Sequence, residues 1–249
     1  MNIIKSLWVW ASSIVFIVLG FPIALILWLL SLAFDSRRLM NNRWMVIQGI
    51  ALTKMSPFWK VITEGREKID QNQAYIIIPT HQSMLDIVFF NMLRHRLRWV
   101  SKIEVFRVPL LGWEMRMVKY IELVRGHKSS VIKMMEQCVE SLQDGISVVI
   151  FPEGTRSLTG AIGKFKTGAF QLAVKTDKPL LPVLIDGTGE ILPKKGLIFG
   201  SRRIVRIRVL DPIFPGQFGT GDPEELAARV HSLMVTAMDE MRSEPGYAR

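Results

Sequence analysis

Tyr75-Ile76-Ile77-Ile78-Pro79-Thr80-His81-Gln82-Ser83-Met84-Leu85-Asp86 changes character twice within a few residues. It begins as an apolar, mostly β-branched run, the composition of a buried strand. Pro79 and the polar residues behind it end that run. Ser83, with Asp86 three places on, has the form of a capping box, which sets a helix N-terminus at Ser83, puts Asp86 in the first turn and leaves His81 in the loop just before it. A strand that feeds directly into a helix is the building step of an α/β domain.

The pattern repeats outward from this stretch. Strands are expected at 75–78, 98–101, 120–124, 146–151, 180–185 and 204–210, and helices near 83–94, 129–144, 167–176 and 223–242. Because helices separate most of the strands, the expected fold is α/β, with a mixed, largely parallel sheet flanked by helices. Ligand chemistry in such sheets gathers at the carboxyl ends of the strands. There is no internal repeat and no low-complexity tract, and the chain after Glu244 reads as a short frayed tail.

Towards the amino terminus the composition shifts. Residues 6–34 carry no charge, between Lys5 and the group Asp35, Arg37 and Arg38, and as a helix they would extend roughly 43 Å, enough to enter a bilayer. The stretch is too long for the apolar part of a signal peptide, and no small-residue cleavage site follows it. Gly20 and Pro22 interrupt its middle, so a spanning helix and a bent insertion into one leaflet both fit. Residues 44–59 form a second apolar segment containing Gln48, Lys54 and Pro57; it reads as a helix lying at the membrane interface, with a core helix as the alternative. Arg37, Arg38 and Arg43 follow the first segment, and by the positive-inside rule they place the rest of the chain at the cytoplasmic side of the inner membrane.

The 249 residues carry a formal charge of +10 and are 49% hydrophobic, which points to an anionic surface or anionic small molecules as partners. The single cysteine, Cys138, cannot form an intramolecular disulfide and reads as packing.

Two constellations carry chemistry. A loop histidine that folds back over the first helical turn can be held by a carboxylate through one ring nitrogen, leaving the other to accept a proton. His81 with Asp86 has that arrangement, suited to deprotonating an alcohol. The second is Phe151-Pro152-Glu153-Gly154-Thr155-Arg156-Ser157, where another expected strand ends. Gly154 permits a tight bend, Glu153 can accept hydrogen bonds from hydroxyls, and Arg156 supplies a planar fork that matches phosphate.

These blocks, in this order, resemble the glycerolipid acyltransferases of the 1-acylglycerol-3-phosphate acyltransferase group. His81 through Asp86 resembles that family's histidine, four residues, aspartate motif, with Thr80 where asparagine is frequent. Residues 151–157 match a second family motif throughout. Residues 120–125, ending in Arg125, resemble a further block, and Leu181-Pro182-Val183 resembles the proline-centred strand. Ser101-Lys102-Ile103-Glu104, with Pro109 and Gly112, resembles the lysine-containing stretch between the first two blocks. The resemblance covers about residues 61–210.

It implies that His81 is the general base and Asp86 its orienting partner. It assigns substrate binding to Lys102, Arg125, Glu153, Gly154, Thr155 and Arg156, with Lys102, Arg125 and Arg156 on the phosphate. It implies acyl transfer from a thioester to the sn-2 hydroxyl of lysophosphatidate, forming phosphatidic acid. Acyl-CoA or acyl carrier protein would be the co-substrate and membrane lipids the partners, with no nucleic acid, no metal and no prosthetic group. Residues 1–60 would be the anchor and 61–249 the catalytic domain.

Nine Lys or Arg against three acids between Arg94 and Lys128 make an attractive field for such substrates. Lys194, Lys195, Arg202, Arg203, Arg206 and Arg208 form a second basic group that reads as a membrane-surface contact. Three rivals remain at this level. Another lyso-lipid acceptor would suit the same motifs. A serine hydrolase lacks any Gly-x-Ser-x-Gly elbow, and a basic membrane adaptor leaves the ordered motifs unexplained.

Overall fold

The computed structural model describes residues 2–200 and 204–247. In chain order they form α1 (Asn2–Ser31), α2 (Leu39–Met55), β1 (Lys60–Glu64), β2 (Ile76–Pro79), α3 (Leu85–Phe90), β3 (Leu97–Lys102), α4 (Ile103–Phe106), α5 (Leu111–Met117), β4 (Ile121–Leu123), α6 (Lys128–Gln143), β5 (Ser147–Val149), α7 (Gly168–Thr176), β6 (Leu180–Asp186), α8 (Thr188–Ile191), β7 (Ile204–Val209) and α9 (Pro223–Ser243).

Among the described residues the strands make one sheet in the order β1-β7-β6-β2-β5-β3-β4. Every neighbouring pair is parallel except β6 with β7. The largely parallel α/β sheet expected from the sequence is therefore present. The central strands β2, β5 and β6 are buried at every position. Their apolar runs do not alternate because helices cover both faces. On one face Ile77, Trp99, Val149 and Leu181 pack beneath the helices that include α3 and α5. On the other, Ile76, Ile78, Val148 and Leu184 pack against α6, α7 and α9. The chain leaves β2 towards β3 and β4, returns through β5, and then passes to the far side of β2 with β6. The carboxyl ends of β2, β5 and β6 are thereby gathered where the winding reverses, which is where open α/β sheets hold ligands.

Several expectations need correction. Strand β1 is an additional element; its residues are only partly buried and show no alternation, so it carries little strand signal. The short helices α4, α5 and α8 are also additional. The second apolar segment is α2, shifted to Leu39–Met55, and it is a packed layer, with Asn41, Asn42, Gln48, Gly49 and Thr53 buried. Asn41 donates to the Ala24 carbonyl of α1 (2.8 Å) and Asn42 to the Leu97 carbonyl at the start of β3 (2.6 Å), so α2 lies between the first helix and the sheet.

Helix α1 runs on through Pro22 and is long and apolar enough to cross a bilayer by length and composition. Its two sides differ. Ser6, Val9, Ala24 and Ser31 are buried, whereas Leu7, Ile14, Val18, Ile26 and Leu29 are exposed, a helical stripe of bare apolar side chains. The buried side is tied down along its length. Lys5 donates to the Gly200 carbonyl, Trp10 to the Leu197 carbonyl and the Phe199 amide to Ser6 Oγ, each at 2.8 Å, and at the margin of the bare stripe the partly buried Phe21 meets Trp113 of α5.

The basic group on β7 is inside the fold. Arg206 and Arg208 pair with Glu64 of β1, and Arg208 also with Glu244, so these two bind the sheet edge and the C-terminus rather than a membrane surface. Arg202 and Arg203 lie outside the described residues. Nor does the chain fray directly after Glu244, because the Tyr247 hydroxyl hydrogen-bonds Asp186 at the end of β6.

Candidate active site

Thr80 keeps the loop after β2 tied to β6. Its amide donates to the Val183 carbonyl (3.0 Å), and its hydroxyl both donates to the Ile185 carbonyl and accepts from the Ile185 amide. His81 follows, with Nδ1 2.8 Å from Asp86 Oδ2. That same oxygen accepts the backbone amides of Gln82 and Ser83 at 2.8 and 2.9 Å. Asp86 Oδ1 accepts the hydroxyl of Thr188. Asp86 is fully buried, and four donors surround its two oxygens. A carboxylate used as acceptor throughout leaves the hydrogen on Nδ1 of His81, so the Nε2 lone pair is available. Nε2 has no hydrogen-bond partner among the described residues.

Only half of the expected capping box forms. The Ser83 amide does donate to Asp86, but the Ser83 oxygen accepts the Leu85 amide (3.4 Å) rather than that of Asp86, while its hydroxyl hydrogen goes to the buried Leu192 carbonyl (2.7 Å), and α3 starts at Leu85. The released geometry lets Asp86 hold the histidine as well as the turn.

The ring plane of His81 is fixed from a second side. It stacks on Phe151, with centroids 3.7 Å apart and planes inclined by 16°, and Phe151 stacks in turn on Trp99. Phe151 opens the second constellation, which clasps the backbone of His81. The His81 amide donates to Glu153 Oε1 (2.9 Å), and the Ser157 amide donates to the His81 carbonyl (2.7 Å). Glu153 Oε2 accepts the Gly163 amide at 2.9 Å. The sequence suggested hydroxyl contacts for this carboxylate, whereas here each oxygen takes a backbone N–H and Glu153 joins its own loop to that of His81. Burial pushes its carboxyl above the usual range, and the amides of Gly163 and His81 pull it back down. Gly154 sits at φ 66°, a left-handed backbone that side chains rarely adopt, so the turn favours glycine.

The cationic residues named from the sequence converge on one rim. Arg156 lies in the loop after β5, Lys102 ends β3, and Arg125 follows β4, which places them at the carboxyl ends of three successive strands of the sheet. Lys102, Arg125 and Thr155 are exposed and Arg156 is half-buried. None of the three cations makes a side-chain hydrogen bond or ion pair among the described residues. The carbonyl of Arg156 accepts from Lys194 Nζ (2.8 Å), which puts that member of the second basic group beside the site.

Sequence reasoning missed the far side of the site. Thr188 completes the surroundings of Asp86, and Asp186 accepts from Gln82 Nε2 (2.9 Å) while pairing with Arg242 of α9 (2.6 Å). The one available signal was the polar Asp186-Gly187-Thr188 turn directly behind an apolar strand, at the carboxyl edge where ligands bind. Together these parts offer an oriented proton acceptor beside a rim of unpaired cations, which suits abstraction of a hydroxyl proton from a ligand that also carries an anionic group.

Comparison with known proteins gives the family. A family model described as Acyltransferase matches residues 60–186. The chain is 33% identical to a chloroplast 1-acyl-sn-glycerol-3-phosphate acyltransferase of Arabidopsis thaliana, over 80% of this chain and 54% of that protein. It is 34% identical to the 1-acyl-sn-glycerol-3-phosphate acyltransferase of Pseudomonas aeruginosa, over 59% of this chain and 57% of that one. The chain spans about half the length of the chloroplast proteins it resembles. Among solved structures it resembles the 1-acyl-sn-glycerophosphate acyltransferase PlsC of Thermotoga maritima, with a TM-score of 0.83, 26% identity and 98% of both chains covered. With more than half of its length matched by the family model and the histidine–aspartate site assembled at the carboxyl edge of the sheet, this chain belongs to the acyltransferase family.

Proposed function

We propose that the protein transfers a fatty acyl chain from an acyl thioester to the sn-2 hydroxyl of 1-acyl-glycerol-3-phosphate, giving phosphatidic acid. The observation that carries this reading is the His81–Asp86 pair, with Nδ1 held and Nε2 open at the mouth of the sheet beside Lys102, Arg125 and Arg156. In the reaction, Nε2 of His81 takes the proton of the sn-2 hydroxyl as its oxygen attacks the thioester carbonyl. The tetrahedral intermediate then collapses, the carbon–sulfur bond breaks, and the thiolate leaves with the proton returned by His81. Asp86 holds the ring and offsets its transient positive charge. The rim cations receive the acceptor's phosphate, Arg156 as a two-pronged donor. Glu153, Gly154 and Thr155 shape that side of the pocket.

Beside Gln82 and Ser157 lies a cleft of about 460 Å³ with Lys194 on its wall. It gives the donor an approach separate from the acceptor's cations. Acyl-CoA and acyl carrier protein both fit that requirement. Residues 1–60 form the anchoring part, with α1 as the lipid-facing helix and α2 packing it onto the sheet, and the remainder is the catalytic part. Because α1 is tied to the domain along one side and bare along the other, the reading that fits best is insertion into one leaflet at the cytoplasmic face.

The test is acyl transfer measured with radiolabelled donor and lysophosphatidate, in parent and His81→Ala membranes. Turnover should fall about 10²- to 10⁴-fold while the variant remains in the membrane fraction. Near-normal turnover in the variant would remove His81 from the mechanism. Running the same assay with lysophosphatidylcholine and with both donors decides acceptor and donor separately.

A further inference from the structure

The turn between α4 and α5 is built in an unusual way. Leu110 has φ 63° and ψ −59°, and the Leu111 amide donates to the Pro109 carbonyl at 2.7 Å, which together make a strained three-residue γ-turn. The turn is braced from beneath. Gly112 lies so close to α4 that a Cβ would meet the Phe106 carbonyl oxygen at 2.1 Å, and Arg116 donates to that same carbonyl at 2.9 Å. Phe106 itself is buried. All this support presents apolar residues that the fold leaves largely uncovered: Val108 is 46% and Trp113 52% exposed, and Pro109 is exposed between them.

Two observations say what covers this tip. Trp113 touches Phe21 of α1 (centroids 5.6 Å apart), so the tip is continuous with the bare apolar stripe of α1. Lys102, Arg107, Arg116 and Lys119 are exposed around it against one exposed acid, Glu104, with Glu122 paired to Arg116. An apolar point ringed by cations fits a bilayer with anionic headgroups.

We propose that residues 107–113 insert into the lipid surface beside α1 as a second membrane contact. The contact places Lys102, which immediately precedes α4, within the headgroup layer where a lipid phosphate lies. The proposal rests on α1 being the membrane helix, and it adds a site that anchoring by α1 alone does not require.

The chemistry of the chain makes the test clean. Its one cysteine, Cys138, is fully buried with its thiol pushed up to about 12, so a cysteine introduced at the surface takes a maleimide label selectively. The full chain carrying Val108→Cys, Val18→Cys on α1 or Val174→Cys on α7 is labelled with an environment-sensitive fluorophore. Each is mixed with phosphatidylcholine–phosphatidylglycerol vesicles whose acyl chains carry a spin-label quencher. Labels at 18 and 108 should be quenched and the label at 174 should not. Quenching at 18 without quenching at 108 overturns this proposal and leaves the α1 reading intact, whereas quenching at neither site overturns both. A concentration-dependent blue shift at 108 without vesicles, and no quenching with them, assigns the tip to a second copy of the chain and also overturns it. As a functional arm, Val108→Asp should raise KM several-fold for lysophosphatidate presented in vesicles and leave KM unchanged for a short-chain, water-soluble acceptor; equal KM changes for both would count against lipid insertion.

Discussion

Thr188 illustrates what a single side chain adds to the site. It is fully buried, and its hydroxyl is the donor to the oxygen of Asp86 that faces away from His81. Replacing it by valine keeps the shape and leaves one buried carboxylate oxygen without a partner, a loss of about 1.5–3 kcal/mol for a hydrogen bond to a charged group. The carboxylate is then held through Oδ2 alone, and His81 loses orientation rather than contact with substrate. Thr188→Val should therefore lower kcat roughly tenfold or more with little change in either KM, and Thr188→Ser should restore most of it. Loss of activity in the serine variant too, with a lowered thermal midpoint, would reduce Thr188 to a packing residue. The histidine–aspartate pair was readable because the two sit on one short loop-helix segment. Thr188 was not, since its contact with Asp86 exists only because β6 lies next to β2 in the sheet. Glu153 was legible as part of a motif but not in its bonding, because its partners His81 and Gly163 come from different loops.

At the scale of elements, β1 and its exit turn depend on glycine. Gly65 has φ 71°, and a Cβ there would stand 2.4 Å from the carbonyl oxygen of Val209 on β7. Both the left-handed backbone and the collision with main chain oppose any side chain, and the neighbouring carbonyl cannot swing away as a flexible side chain would. Gly65→Ala should cost about 2 kcal/mol or more, read as a lowered urea midpoint in detergent, while turnover per folded molecule stays near the parent's. An unchanged midpoint would mean that the β1–β7 edge can shift to make room. The same edge shows why parts of the fold escaped the sequence. Strands β2, β5 and β6 announced themselves through continuous apolar runs and β3, β4 and β7 through shorter ones broken by charges, but Lys60–Glu64 is held in place by its pairing with β7 and by Glu64 bridging Arg206 and Arg208. Helix α2 looked interfacial because its apolar residues suggested lipid, yet its buried polar ones bond to neighbours distant in sequence.

Taken as a whole, the molecule separates its chemistry from its acid sensitivity, one at each end of the sheet. The site occupies the carboxyl edge; at the opposite edge His95 is buried with only 3% of its surface exposed, and it explains a stability prediction. Its Nε2 lies 2.7 Å from Ser147 Oγ, which already accepts the Tyr75 amide and so directs its hydrogen to the ring. The imidazole is thereby kept neutral, and its Nδ1 faces Gln71 Oε1 at 3.3 Å. Burial, with Arg96 adding to it and Asp70 opposing, pushes the imidazolium down to about 4. The unfolded chain titrates this group near 6.5. Between those two values the unfolded state binds a proton that the folded state refuses, so stability falls as pH drops from about 6.5 towards 4, by at most about 3 kcal/mol. Above 6.5 both states are neutral here and the contribution is flat. His95→Gln removes the titrating group, and whatever it costs at neutral pH, its stability should lose less across that window than the parent's does. The measurement is urea unfolding of detergent-solubilised protein, followed by tryptophan fluorescence from pH 4 to 8. Parallel curves for parent and variant between 6.5 and 4 would show that His95 is protonated as readily in the folded protein as in the unfolded one, and the acid limb would then belong to the carboxylates.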